Sequence, residues 1–153
     1  MRLLLNEADA SDCFQETFVS ALQFSQRQTV ANWAGLLQRI ATSRALDQLR
    51  RRLRERPLCN KQATSDDLLW RGANPLQEAE AVELSDRLRV ALAQLPVTQS
   101  HAFCLRHLSG MEYGEIANAM GISLSAASGL IHRARAALEH SLLGATANES
   151  KSS

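Results

Sequence analysis

Apolar residues recur at helical spacing in three blocks of this chain, and polar or turn-forming residues separate the blocks. In the first block, Ala10 to Leu22 places Phe14, Phe18, Ala21 and Leu22 at helical intervals, with Asp9 or Ser11 available as a cap. A polar stretch, Gln23 to Thr29, precedes a second predicted helix from about Val30 to Arg56. There Trp33, Leu36, Leu37 and Ile40 form one stripe, and Leu46, Leu49 and Leu53 lie on a different face. Such a phase change means either a partner surface that shifts along the helix or a break. Pro57 ends the block, because its ring clashes with the preceding turn. Leu58 to Ala81 is polar, turn-rich and mildly acidic, a linker with a short helical turn at Leu68-Leu69-Trp70.

The third block predicts four helices. Leu84, Leu88, Ala91, Leu92 and Leu95 share one face of the first, which Pro96 stops. Thr98 caps the next, which ends at Ser109-Gly110. Glu112 to Met120 follows, closed by Gly121, and Ser123 caps a last helix from about Leu124 to Leu143. The predicted fold is therefore all-α. It has two small helical domains (1–56 and 84–143) joined by a flexible linker (57–83), with a frayed tail (144–153).

Tyr113 to Leu130 carries the strongest motif. Two helices meeting steeply across a short turn need a small residue at the crossing, supplied by Ala117. They also need a residue that tolerates positive φ at the turn, supplied by Gly121. Ile116, Met120, Ile122, Ala127 and Leu130 fall at inward positions. The pattern predicts a DNA-binding helix-turn-helix, whose second helix enters the major groove. An ordinary helical hairpin shares the glycine turn but does not require all seven positions together.

The net charge of +1 conceals a polarised distribution. Met1 to Arg56 holds nine Arg against six acidic residues, and Pro57 to Glu83 holds two basic against five acidic. Arg50-Arg51-Arg52-Leu-Arg54-Glu-Arg56 is a dense cationic run suited to phosphates, although a solvated helix end has the same composition. Cys13, Cys59 and Cys104 are scattered and indicate neither a zinc site nor a disulfide framework. His101 and Cys104 are three apart but lack further matched ligands, so a surface His and a core Cys are expected. No phosphate loop, nucleophile–base set or long apolar span is present.

Taken together, these segments resemble the small extracytoplasmic-function sigma factors of bacterial RNA polymerase. The resemblance covers about residues 3–56 and 84–143. Asp9-Ala-Ser-Asp12-Cys-Phe-Gln15-Glu16-Thr17-Phe18 looks like the family's polymerase-binding helix. Trp33 through Arg39-Ile40-Ala41 to Arg44-Ala45-Leu46-Asp47 and the Arg run is similar to the helix facing the minus-ten promoter element. Leu92-Ala-Gln-Leu95-Pro96, the helix-turn-helix and His132-Arg133-Ala134-Arg135 resemble the domain that reads the minus-thirty-five element.

The resemblance implies that Asp12, Gln15, Glu16 and Phe18 meet the β′ clamp helices of core RNA polymerase, with a further contact to the β flap. It implies DNA contacts from Arg39, Arg44, Arg50, Arg51 and Arg52, and from Ser125, Ala126, Ser128, Gly129, His132, Arg133 and Arg135. Promoter DNA and an anti-sigma factor are the other implied partners. The implied protein is cytoplasmic, needs no cofactor or metal, and is neither an enzyme nor a membrane protein. Three departures stand against the family pattern. The first helix of the family's first domain has no counterpart here. Thr42-Ser43 stands where Asn is common. The recognition helix opens without Thr, Lys or Arg, and Leu124 to Ile131 holds no cation. A stand-alone helix-turn-helix regulator and a truncated polymerase-binding module that does not initiate remain as alternatives.

Overall fold

A computed structural model describes residues 3, 4, 6–55 and 75–149, the side chains of 145–149 excepted. Among these residues all regular structure is helical: α1 (Glu7–Arg27), α2 (Trp33–Glu55), α3 (Pro75–Gln94), α4 (Val97–His107), α5 (Tyr113–Met120) and α6 (Leu124–Glu149). Of the expected linker (57–83), residues 57–74 lie outside the described residues, as do its Leu68-Leu69-Trp70 turn, Cys59 and the tail beyond 149, while 75–83 is helical.

α1 and α2 pair as an antiparallel hairpin, and the face of α1 that packs differs from the aromatic stripe. Asn6, rather than Asp9 or Ser11, caps α1, its side-chain oxygen accepting from the Asp9 amide at 2.7 Å. Asp9, Thr17 and Ala21 are buried, and half-buried Cys13 donates to the Ala41 carbonyl at 3.7 Å. Phe14 and Phe18 point outward, 64% and 45% exposed. The inward residues recur every fourth position and are small or hydrogen-bonding. The Asp9 carboxylate meets a partner on α2 that no phenylalanine could use. Arg52 grips it with two bonds (Nε at 2.9 Å, Nη2 at 2.6 Å), and Gln48 adds a third at 3.0 Å. Chiefly through Arg52, these contacts hold the Asp9 carboxyl below its ordinary pKa.

α2 runs unbroken across its phase change. Its amide at Gly35 donates to the Asn32 side chain at 2.9 Å. A Cβ at residue 35 would come within 3.1 Å of that capping amide, so the glycine makes room for the cap. Trp33, expected inside, is 45% exposed at the first position of the helix.

The two helical blocks share apolar packing. Leu46 of α2 joins Ala91 and Leu92 of α3, Cys104 of α4 and Leu138 of α6 in one buried cluster, with Leu3, Leu88, Leu95 and Phe103 against it. A second cluster lies within the C-terminal block, where Ala102, Leu105, Met111, Ile116, Ala117, Ala127 and Ile131 unite α4, α5 and α6.

Several helix ends depart from expectation. α3 begins at Pro75, nine residues before Leu84, because Pro suits the first helical position and Leu76 to Glu83 is rich in Glu and Ala. Leu84 is 54% exposed and only Ala91 and Leu92 are fully buried on that helix. Thr98 makes no cap; α4 starts at Val97 after Pro96. α6 runs through Gly144 to Glu149, since a single glycine lowers helix stability without forcing an end.

Candidate nucleic-acid interface

α5 and α6 form the steep pair that the motif predicts. Glu112 and Glu115 cap α5 reciprocally, the Glu112 amide donating to Glu115 Oε2 at 2.8 Å. Gly121 ends α5 at φ 66° and ψ 36°. Its amide donates to the Asn118 carbonyl at 3.3 Å, and Ile122 donates to Ala117 at 3.0 Å. These are the two bonds of a Schellman turn, and the left-handed residue they require is glycine. Ser123 caps α6 as expected, its hydroxyl accepting from the Ala126 amide at 3.1 Å.

Arg106 braces the preceding turn. It donates to the Met111 carbonyl at 3.0 Å, pairs with Glu112 at 3.2 Å and lies 5.1 Å from the centre of the Tyr113 ring. The sequence motifs assign this residue no role. The Arg–Glu–Tyr spacing was visible, but nothing along the chain says that the turn folds back under the guanidinium.

A β-branched residue at 121 should therefore be costly. No atom lies within 4 Å of a Cβ built there, so the penalty is backbone strain alone. Gly121→Val is expected to cost about 1–3 kcal/mol and to lower the melting temperature. Gly121→Asn should cost less, because Asn visits the left-handed region more readily. Equal melting temperatures for all three proteins would mean that no such turn exists.

Ala127, Ile131, Ala134 and Leu138 seat α6, each under 5% exposed. The opposite face is open: Ser125, Ala126, Ser128, His132, Arg133 and Arg135 are exposed and Gly129 is half-buried. The Arg133 guanidinium folds back one turn over Gly129, with Nη1 3.6 Å from where a Cβ would stand. This returns a five-donor fork toward the half of the helix that has no cation of its own.

The N-terminal candidates divide into free and engaged groups. Asp12, Gln15, Glu16 and Phe18 are all exposed on α1. Phe18 stacks obliquely on Phe14 at 4.7 Å, and Val19 and Leu22 extend an apolar patch beside them. Glu16 makes a loose exposed pair with Arg44 at 3.5 Å, and Arg44 also donates to Ser20 at 3.0 Å. Arg39 lies against the Phe24 ring at 5.9 Å. Arg51 is 58% exposed and pairs only loosely with Glu55.

Arg50 and Arg52 correct the view of the Arg run as a uniform phosphate surface. Arg52 is committed to Asp9. Arg50 is 17% exposed and crosses to the C-terminal block. The run is periodic, so successive residues face different neighbours and only some face solvent. Arg51→Ala should therefore lower the log–log salt slope of duplex binding by about 0.9 at unchanged melting temperature. Arg52→Ala should lower the melting temperature by stranding the Asp9 carboxylate. Identical behaviour of the two variants would restore the uniform surface.

His101 is not the surface residue expected. Its Nε2 donates to the Arg39 carbonyl at 3.1 Å, and burial lowers its pKa below the ordinary 6.5 despite that bond. Arg39 and Arg50 reinforce the shift, and Asp47 opposes it. Below about pH 6.5 the unfolded chain takes up a proton that the folded chain refuses. This stability is thus complete above that pH and declines as pH falls toward the folded value. His107, also shifted down by burial, adds in the same direction. His101→Gln should flatten the stability profile between about pH 7.5 and 5.5; an unaltered profile would place the imidazole in solvent. Cys104 is fully buried as expected, its thiol pushed up to about 12 by burial and thus inert.

The geometry of α4 to α6 defines a helix-turn-helix of the DNA-binding class. The family model for sigma-70, region 4 matches residues 85–138, a span that holds α4, α5 and α6 as far as Leu138. Over 138 residues, 88% of this chain, the sequence is 33% identical to the ECF RNA polymerase sigma factor SigE of Mycolicibacterium smegmatis, of which it covers 52%. The chain thus spans about half the length of the curated relative it matches. Residues 85–138 are thus similar to sigma-70 region 4, and most of the chain is similar to an ECF RNA polymerase sigma factor. No helix among the described residues is long and apolar enough to cross a membrane.

Proposed function

We propose that this chain is a sigma factor: it binds core RNA polymerase and directs it to promoters. The carrying observation is that one chain presents two outward surfaces of different character. α1 offers an exposed aromatic and aliphatic patch, Phe14, Phe18, Val19 and Leu22, next to Asp12, Gln15 and Glu16. Desolvated aromatic anchors bordered by polar groups supply most of the energy of a protein interface. α6 offers the open polar face of a helix-turn-helix. A stand-alone regulator uses only the second surface.

In this reading α1 docks on the polymerase clamp and a region of the C-terminal block contacts the β flap. Arg39, Arg44 and Arg51 hold the backbone of the minus-ten strand, and Arg54, also exposed, joins them. Ser125, Ala126, Ser128 and Arg133 face the minus-thirty-five duplex, with His132 and Arg135 at its flanks. Such a protein works in the cytoplasm and is open to control by an anti-sigma factor.

Gel filtration of the full chain with core polymerase from the encoding organism tests the reading. Co-elution at micromolar concentration is expected. Separate elution, together with sequence-selective binding of free duplex by the chain alone, would favour the stand-alone regulator.

A further inference from the structure

His107 and Arg135 converge from two helices without a carboxylate to share. His107 stands exposed on the last turn of α4, its ring against Phe103 at 4.4 Å between centroids. Arg135 is exposed on α6. Neither makes a hydrogen bond or ion pair with a described residue. Arg44, Arg50, Arg51, Arg52, Arg89 and Arg106, by contrast, each have a carboxylate oxygen between 2.6 and 3.7 Å away.

The surroundings of His107 all disfavour its imidazolium. Burial, then Arg135 of α6, then Arg106 of its own helix hold its pKa below the ordinary 6.5. No carboxylate offsets them. Glu112, on the turn leading to α5, is held by Arg106, and Glu115 of α5 is turned to the Glu112 amide. α2 directs Arg39, Asp47 and Arg50 at His101 instead, earlier on α4 and in the seam between the two blocks.

We propose that His107 is a DNA contact: with Arg135 it holds one backbone phosphate on the flank of α6. This rests on the reading of α6 as the helix that faces duplex. The donors carry the chemistry. An imidazolium donates through both ring nitrogens and a guanidinium through five N–H groups. A phosphate oxygen between them accepts charge-assisted bonds from both and relieves their mutual repulsion. Position favours a phosphate over a base. α4 packs along α6, and the pair sits where the two helices meet, at the edge of the exposed stripe through Ser125, Gly129 and His132. Phosphates border a groove at such an edge, and base edges line its floor.

A proton accompanies this contact. The free chain disfavours a charged His107 and phosphate favours one, so duplex binding takes up a proton there. Phosphate raises the imidazole pKa. The added affinity is therefore absent above the bound-state value, grows as pH falls through it, and is complete below the free-state value.

Anisotropy titrations of the full chain with a labelled duplex, over a range of salt at about pH 8 and about pH 5.5, read the contact. The parent should bind about three- to tenfold more tightly at the lower pH and equal salt. Its log–log salt slope should be steeper there by about 0.9, one phosphate contact. His107→Gln should show one slope at both pH values, and His107→Arg the steep slope at both. His132→Gln should retain the difference, because its imidazole is not the one that titrates against phosphate. Circular dichroism at each pH verifies that every variant is folded. A slope that steepens as much in His107→Gln as in the parent would overturn the contact and leave α6 standing as a DNA-facing helix. So would a difference lost in His132→Gln and kept in His107→Gln. Duplex that binds neither the parent nor His107→Arg at low salt would refute the reading of α6 and the contact together.

Discussion

Phe18→Ser combined with Glu16→Lys is expected to abolish association with core RNA polymerase without unfolding the chain. Phe18 is 45% exposed and rests obliquely against Phe14, itself more exposed. Glu16 pairs with Arg44 at 3.5 Å in solvent, a contact of the kind that adds little to stability. The fold therefore has small stakes in either side chain. An interface has large ones: a buried aromatic anchor is worth about 2–4 kcal/mol, or about thirtyfold to a thousandfold in affinity. The reversed charge at Glu16 adds repulsion wherever the partner surface is basic. The check pairs a melting curve, expected to be nearly that of the parent, with quantitative co-elution. A variant that binds polymerase as the parent does would remove α1 from the interface.

The second large effect concerns Leu46. Truncation to Ala removes the α2 residue that enters the cluster formed by Ala91, Leu92, Cys104 and Leu138. Large-to-small changes at such sites cost about 2–5 kcal/mol through lost transfer energy and the cavity left behind. In a chain of this length that amounts to roughly 2–4 °C of melting temperature per kcal/mol. Because the cluster draws on α2, α3, α4 and α6, the loss should appear in one transition followed by helix signal. Two resolved transitions, with only the earlier one moved, would mean that the blocks fold as independent units.

Much of the C-terminal unit was legible along the chain because its constraints are local. Gly121, Ser123, Ile116, Ala117 and Ala127 each do a job set by residues within a few positions, and each does it in the structure. The N-terminal hairpin was less legible for the opposite reason. Phe14, Phe18 and Leu22 recur at the spacing of a packing face, and nothing nearby excludes that until Arg52 and Gln48 of α2 are known to face Asp9. The partner decides the face, and the partner lies about forty residues away. Arg50 and His101 follow the same rule: an Arg run implies solvent and a lone His implies surface, yet Ser100 and the Arg39 carbonyl draw both into the seam.

The exposed face of α6 was legible in its composition but not in its reach. The sequence shows a cation-free half-helix, Leu124 to Ile131. Only the folded helix shows that Gly129 leaves space for the Arg133 guanidinium to lie back over that half. Side chains on a helix incline toward its N-terminus, so a residue's chemistry acts about one turn before its own position.

The measurement that bears most directly on the central claim is run-off transcription with purified components. Core polymerase from the encoding organism, the full chain and a library of genomic fragments from that organism are combined, and transcripts are mapped by their 5′ ends. The sigma-factor account predicts discrete start sites that depend on the chain, share upstream sequence elements and vanish with the Phe18→Ser, Glu16→Lys variant. Transcripts identical with and without the chain, from a polymerase shown to be active with another sigma factor, would contradict it.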